Sequence, residues 1–260
     1  MSRAATEYRY EKLTWPEIND AVDLGKVCIL PCGAVEQHGH HLPLFTDSML
    51  LGEIVRRMAE QFENRVLFAP LTWLGNSDHH LDFAGTLSAP PRVYIDLLNG
   101  LVENFITHGF KRIVFLNGHG GNDIPGKQAI FEVRQRHRQR ADLLLLFATY
   151  WNLAPNPRSN IPGLVQPHMS HACEWETSMI LHLAPHLVGD ISKLAAIPSG
   201  NAFEPAMRAW TTKDRTEPGY IGDPRPATAE KGEALFQAFT AGAVALLERV
   251  LAWDGSRWNA

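Results

Sequence analysis

A chain of 260 residues with 45% hydrophobic composition is long enough to bury a substantial core and suits one large domain. Its net charge of −4 provides no basic face, which argues against nucleic acid and anionic membrane as partners. Cys28, Cys32 and Cys173 form no CxxC pair, which argues against a disulfide scaffold and fits a reducing cytoplasm. The N-terminus holds no apolar core of signal-peptide length, and without a run of about 18 apolar residues no transmembrane helix is expected.

The first element is "KVCILPCGA" (26–34), a short apolar run that reads as a buried strand. After "AVEQHGHHLPLFTD" (34–47) a helix is expected from near Thr46, because Leu50, Ile54, Met58 and Phe62 recur at four-residue steps. "RVLFAPLTWLG" (65–75) reads as a second strand. Residues 91–110 predict a helix with Pro91 at its start, an apolar face of Tyr94, Leu97, Leu98, Leu101, Val102 and Phe105, and His108-Gly109 at its end. "KRIVFLNG" (111–118) is a third strand, followed by a glycine turn and a helix from about Asp123 to Arg140. "DLLLLFATYW" (142–151) is a fourth. Residues 152–170 are irregular, a helix spans about Glu174 to Leu183, and 196–228 form a long loop with room for one hairpin. Residues 228–253 close the chain as a long amphipathic helix.

No repeat, low-complexity tract or linker divides the chain. Strands apolar on both faces and separated by helices predict an α/β fold. It is a single layered domain over 1–260, with a mostly parallel central sheet flanked by helices. Ligands of such sheets bind beyond the carboxyl ends of the strands. The first strand runs into Glu36 and His38, the third into "NGHGGN" (117–122), and the fourth ends at Trp151.

Glu36 and His38 point to one side if the chain is extended there. Asp47 sits at a helix start that stabilises a carboxylate. His119 lies between glycines, and "SHACEWETS" (170–178) adds His171, Glu174 and Glu176. Mixed imidazole and carboxylate donors suit zinc, manganese or iron, and they outnumber what one tetrahedral zinc needs, so two ions sharing a carboxylate are expected. Taken singly, each feature has a plainer reading. His38 could be a hydrogen-bonded core histidine, "NGHGGN" a phosphate nest, and Glu174 a first-turn carboxylate. Convergence on one sheet edge favours the joint reading. His108, His137, His182 and His186 fall in or near helices and are assigned to surface or capping roles.

At these residues the chain resembles the creatininase (creatinine amidohydrolase-like) family, through "GAVEQHGHHLPLFTD", "HHLDFAGTLS" (79–88), "NGHGGN", "HACEWETS" and "GDPRPATAEKG" (222–232). The resemblance implies a single α/β domain assembled into hexamers. It also implies a binuclear centre of two divalent ions, zinc with manganese or iron, that cleaves amide C–N bonds through a bridging hydroxide. By the same resemblance Glu36 and His119 hold one ion, His38 the other, and Asp47 bridges. Creatininase proper has a further carboxylate where this chain has Gly121. A branch of the family has glycine there and a glutamate that Glu174 matches, so Glu174 is expected to close the second site. His171 resembles the proton shuttle, with Glu176 supporting it. Trp151, His80 and Ser170 are expected to meet the substrate. Ser170 and Gly120 replace a glutamate and an aromatic of creatininase proper, which turns the expectation from creatinine to another small lactam, cyclic amide or formamide. The alternatives are creatinine itself, a modified peptide cut by a peptidase, and a non-catalytic metal-dependent binding protein.

Overall fold

The computed structural model describes residues 2–62, 64–255 and 258. Positions 1, 63, 256, 257, 259 and 260, which the single-domain expectation includes, lie outside them. Four strands form one sheet: β1 (Val27–Cys32), β2 (Val66–Phe68), β3 (Arg112–Asn117) and β4 (Leu144–Thr149). Their order is β2-β1-β3-β4, and every pairing is parallel. Helices α1 (Trp15–Asp23), α2 (Thr46–Phe62), α3 (Pro91–Thr107), α4 (Asp123–Arg136), α5 (Pro157–Asn160), α6 (Glu174–Leu183), α7 (Thr212–Arg215) and α8 (Ala229–Ala252) surround it. The expected α/β layering is present.

Alternation along the strands separates two cores. Val27, Ile29, Val66, Phe68, Val114 and Leu116 face one side, where they meet Leu50, Ile54 and Met58 of α2, Met179 of α6 and Phe236 of α8. Cys28, Leu30, Leu67, Ile113 and Phe115 face the other, against Tyr94, Leu98 and Val102 of α3 and Ala129 of α4. Burial on both faces is what a parallel sheet requires. By length and composition α8 could cross a membrane, with a mean hydropathy of 1.4. Here Leu235, Phe236, Phe239, Leu247 and Val250 bury one of its faces in the first core.

Several features differ from the expectation: α4 stops at Arg136 rather than Arg140, and α5 falls in the segment expected to be irregular. β2 has three residues rather than eleven, because Pro70 offers no N–H to continue the ladder. Helix α1 is an addition; its Thr14 donates through N and Oγ1 to the Glu17 carboxylate at 2.8 Å, a capping arrangement legible in Thr-x-x-Glu. The hairpin expected in 196–228 reduces to one bridge, Ile197 to Gly222, with α7 between.

Strand register brings the polar segments together. Cys32 pairs with Asn117, and Asn117 with Thr149, so β1, β3 and β4 end level. The segments that leave them emerge at one edge.

Candidate metal centre

Chain geometry directs the side chains at that edge. Beyond β1, Glu36 N donates to Leu44 O at 2.9 Å and Ser48 Oγ to Ala34 O at 2.8 Å, closing residues 34–48 into a compact loop. Asp47 then falls in the first turn of α2, beside unpaired helix N–H groups. Beyond β3, Asn117 holds the turn: its Nδ2 donates to His119 O at 2.7 Å, and its Oδ1 accepts from His119 N at 3.1 Å. Asn122 Nδ2 ties the same turn to Gly33 O at 3.0 Å.

Glu36, His38, Asp47, His119 and Glu176 are all at most 5% exposed. His119 Nδ1 lies 2.9 Å from Asp47 Oδ2 and 3.4 Å from Glu36 Oε1. His38 Nε2 lies 3.2 Å from Asp47 Oδ1 and 3.9 Å from Glu176 Oε1. Asp47 therefore turns one oxygen to each imidazole. Glu36 Oε1 also faces His171 Nδ1 at 3.5 Å and His80 Nε2 at 3.4 Å. Ligand atoms of Glu36, His38 and His171, of Glu36, His79 and His119, and of His38, Asp47 and Glu176 each gather within 4.8 Å.

The hydrogen bonds assign the ring protons. A backbone carbonyl only accepts, so His38 Nδ1–H donates to Glu36 O at 3.0 Å, His119 Nε2–H to Asn76 O at 2.9 Å, and His171 Nε2–H to Gln37 O at 2.8 Å. Each of the three thus aims its other nitrogen at carboxylate oxygen. Glu36 Oε2 and Asp47 Oδ2 are buried without a hydrogen-bond partner, the 2.9 Å approach of His119 being off the bonding direction. Lone pairs facing buried carboxylates call for positive charge between them. Protons on the imidazoles are one source. Burial alone would lower the pKa of His38, but Asp47, Glu176 and Glu36 outweigh it and hold it up at about 10. A divalent cation is the other source, and ring N–H groups anchored to carbonyls are the usual support of metal-bound histidine.

His80 is oriented differently. Gln37 Nε2 donates to Gly219 O at 2.7 Å, and Gln37 Oε1 accepts from Gly39 N at 2.9 Å, which fixes the amide. Its remaining N–H points at His80 Nδ1, 2.7 Å away, so His80 carries its proton on Nε2, toward Glu36. Burial lowers the His80 pKa to about 3. His80 is a neutral donor to the site.

Glu174, expected to close the second site, stands apart from this cluster. Its carboxylate accepts from Val165 N, Gln166 N and Lys231 Nζ, the last at 2.7 Å, and lines a different cavity. Glu176, two residues on, is turned the opposite way around α6 and stands beside His38 and Asp47. Burial raises its pKa to about 8 against the pull of His38. Gly121 could not carry the missing carboxylate, since a Cβ there would sit 2.1 Å from Asn76 O. Glu174→Gln is expected to keep wild-type metal stoichiometry while losing about 3 kcal/mol of stability, because Lys231 is left half-satisfied. Elemental analysis beside urea unfolding checks this, and loss of one ion would return Glu174 to the site.

Trp151, Ser170 and His80 line one cavity of about 580 Å³ with Glu36, Asp47, His119, His171 and Glu176. Ala172, buried at φ +49°, makes the corner that turns His171 inward, and its N–H donates to Glu176. His41, pushed down to about 4 by burial, sits 3.1 Å from Ala172 O and Thr177 Oγ1 and braces that corner, whereas His40 is exposed. Among the wall residues that were not anticipated are His79, Trp210 and Arg215. The His79–His80 pair was a visible signal for the first. Nothing local marks the other two, which a long loop brings in.

The creatininase family model, described as creatinine amidohydrolase, matches residues 11–247, and the chain belongs to this family of amidohydrolases. It is 30% identical over 240 residues to the mycofactocin precursor peptide peptidase of Mycolicibacterium smegmatis, covering 88% of this chain and 86% of that one. It is 28% identical over 245 residues to the creatinine amidohydrolase of Pseudomonas putida, covering 89% and 92%. Its fold matches a solved structure described as "Creatininase Mn" at 26% identity and a TM-score of 0.80, over 94% of this chain and 98% of that one.

Proposed function

We propose that the chain is a binuclear-metal amidohydrolase that cleaves a C–N bond of a small amide, such as a lactam, cyclic amide or formamide. One observation carries this reading: His38, His119 and His171 each spend one ring N–H on a backbone carbonyl and aim the other nitrogen at buried carboxylates with unpartnered oxygens. The donor set fits borderline divalent ions, and solved creatininases of Mn and Zn-Zn type support that choice. Glu36 and His119 would hold one ion, His38 and Glu176 the other, and Asp47 would serve both. Such ions, when bound, polarise a carbonyl and make water nucleophilic at neutral pH.

The remaining groups do the rest. His171, neutral because burial and the neighbouring His38 and His80 lower its pKa, can take a proton at Nδ1 and return it to the leaving nitrogen. His80 Nε2–H holds Glu36 in place. Trp151 offers a flat face for the substrate. The peptidase relatives and a cavity larger than one small ring needs favour a second reading, a short or modified peptide as substrate. The free, buried thiols support a cytoplasmic setting.

Chelator treatment is expected to abolish hydrolysis across a panel of lactams, formamides and short peptides, and zinc, manganese or iron to restore it. Failure of every amide after metal loading would overturn the proposal.

A further inference from the structure

Arg215 stands apart from the other half-buried cations. It closes α7 and lines the same cavity as Glu36, Asp47 and His119. Among the described residues its guanidinium has no hydrogen bond and no ion pair; it lies instead over the Trp210 ring, 4.6 Å from the centroid. Arg112, similarly withdrawn from water, donates to the carbonyls of Gly25, Val250 and Leu251. Arg57 is paired with Glu53 and Glu233. A guanidinium whose burial is opposed by no carboxylate, as the lowered pKa of Arg215 reflects, has donors turned toward space where a ligand can reach them.

Its place in the cavity gives it a direction. His119 stacks on His79 with centroids 5.9 Å apart, His79 meets Trp210 edge-on at 5.0 Å, and Arg215 lies over Trp210. This row of rings runs from the carboxylate-rich centre to Arg215, the one arginine or lysine in this lining; an adjoining cavity places Arg208 on its other side. With Glu36, Asp47 and Glu176 taken up by the ions they would hold, an anionic group remote from the reacting amide is drawn to Arg215 at the far end of the lining. One planar fork with no lysine beside it in the lining matches a singly charged carboxylate better than a phosphate dianion.

We propose that Arg215 anchors a carboxylate of the substrate, so that the amide hydrolysed here carries an acid group remote from the bond that breaks. The inference rests on the amidohydrolase reading. The test uses the metal-loaded full chain and matched substrates: N-acyl dipeptides with a free or amidated C-terminus, and lactams with a carboxyalkyl arm or its methyl ester. Wild type is expected to favour the acids by about 10–100-fold in kcat/KM, mainly through KM, and the favoured pair tells a peptide terminus from a lactam acid. In Arg215→Gln the ratio falls to near one, and Arg215→Lys recovers part of it.

Equal turnover of acid and neutral forms by wild type overturns the anchor and leaves the amidohydrolase reading standing. If no amide is hydrolysed, that reading fails, and the anchor is judged by binding alone. The free-acid dipeptide must then change tryptophan fluorescence in wild type and not in Arg215→Gln; equal binding, or none, overturns it.

Discussion

Asp47→Asn is expected to lower metal content well below wild type and cut turnover by at least about 10³-fold. Asp47 sends Oδ1 toward His38 at 3.2 Å and Oδ2 toward His119 at 2.9 Å, so it serves both halves of the cluster at once. Its ionised form is favoured despite burial, which would raise its pKa, because His38 and His119 stand beside it. An amide keeps the shape and loses the charge. One oxygen would be replaced by a donor facing an imidazole lone pair. Elemental analysis of the purified variant reads the effect without any assay, and wild-type metal content would show that Asp47 is not shared between ions.

His171→Ala is expected to behave in the opposite way, keeping its metal and losing about 10²–10⁴-fold in kcat. Exposure separates its role from that of the proposed ligands. The His38 side chain is 0% exposed and His119 3%, whereas His171 is 14% exposed and opens on the cavity. Its Nε2–H is committed to Gln37 O, which leaves Nδ1 as the one atom able to exchange a proton with a bound amide. Because Glu36, His38 and His171 also come close enough together to hold an ion, metal content is the discriminating measurement. Loss of an ion in His171→Ala would make it a ligand, and retained kcat would remove it from the chemistry.

Much of this site could be read from the residues alone. The four strands were legible because their apolar runs are short, the first three closed by Gly33, Pro70 and Gly118, and the level strand tips follow from parallel pairing. Glu36, His38, Asp47, His119 and His171 stood out because polar groups followed directly on buried strands or clustered at a helix start. The choice between Glu174 and Glu176 was not legible. The two lie in the same first turn of α6, and which one faces the sheet edge depends on the rotation of that helix about its axis. That rotation is set by the left-handed corner at Ala172 and by the reach of Lys231 from α8, neither of which leaves a local pattern. Trp210 and Arg215 were out of reach for a related reason. Their loop has few regular elements, so sequence spacing says nothing about what it touches.

Gln37 has no charge and lines no part of the cavity wall, yet it decides where mobile hydrogens reside there. Its carbonyl claims one side of His171, and its amide claims one side of His80. That amide is itself locked by Gly39 and Gly219. The acid–base character of two imidazoles is therefore inherited from a neutral neighbour, and two glycines, one beside it in the chain and one far off, become guardians of reactivity. Evolution could retune this pocket by altering such spectators, leaving every group that meets the substrate untouched.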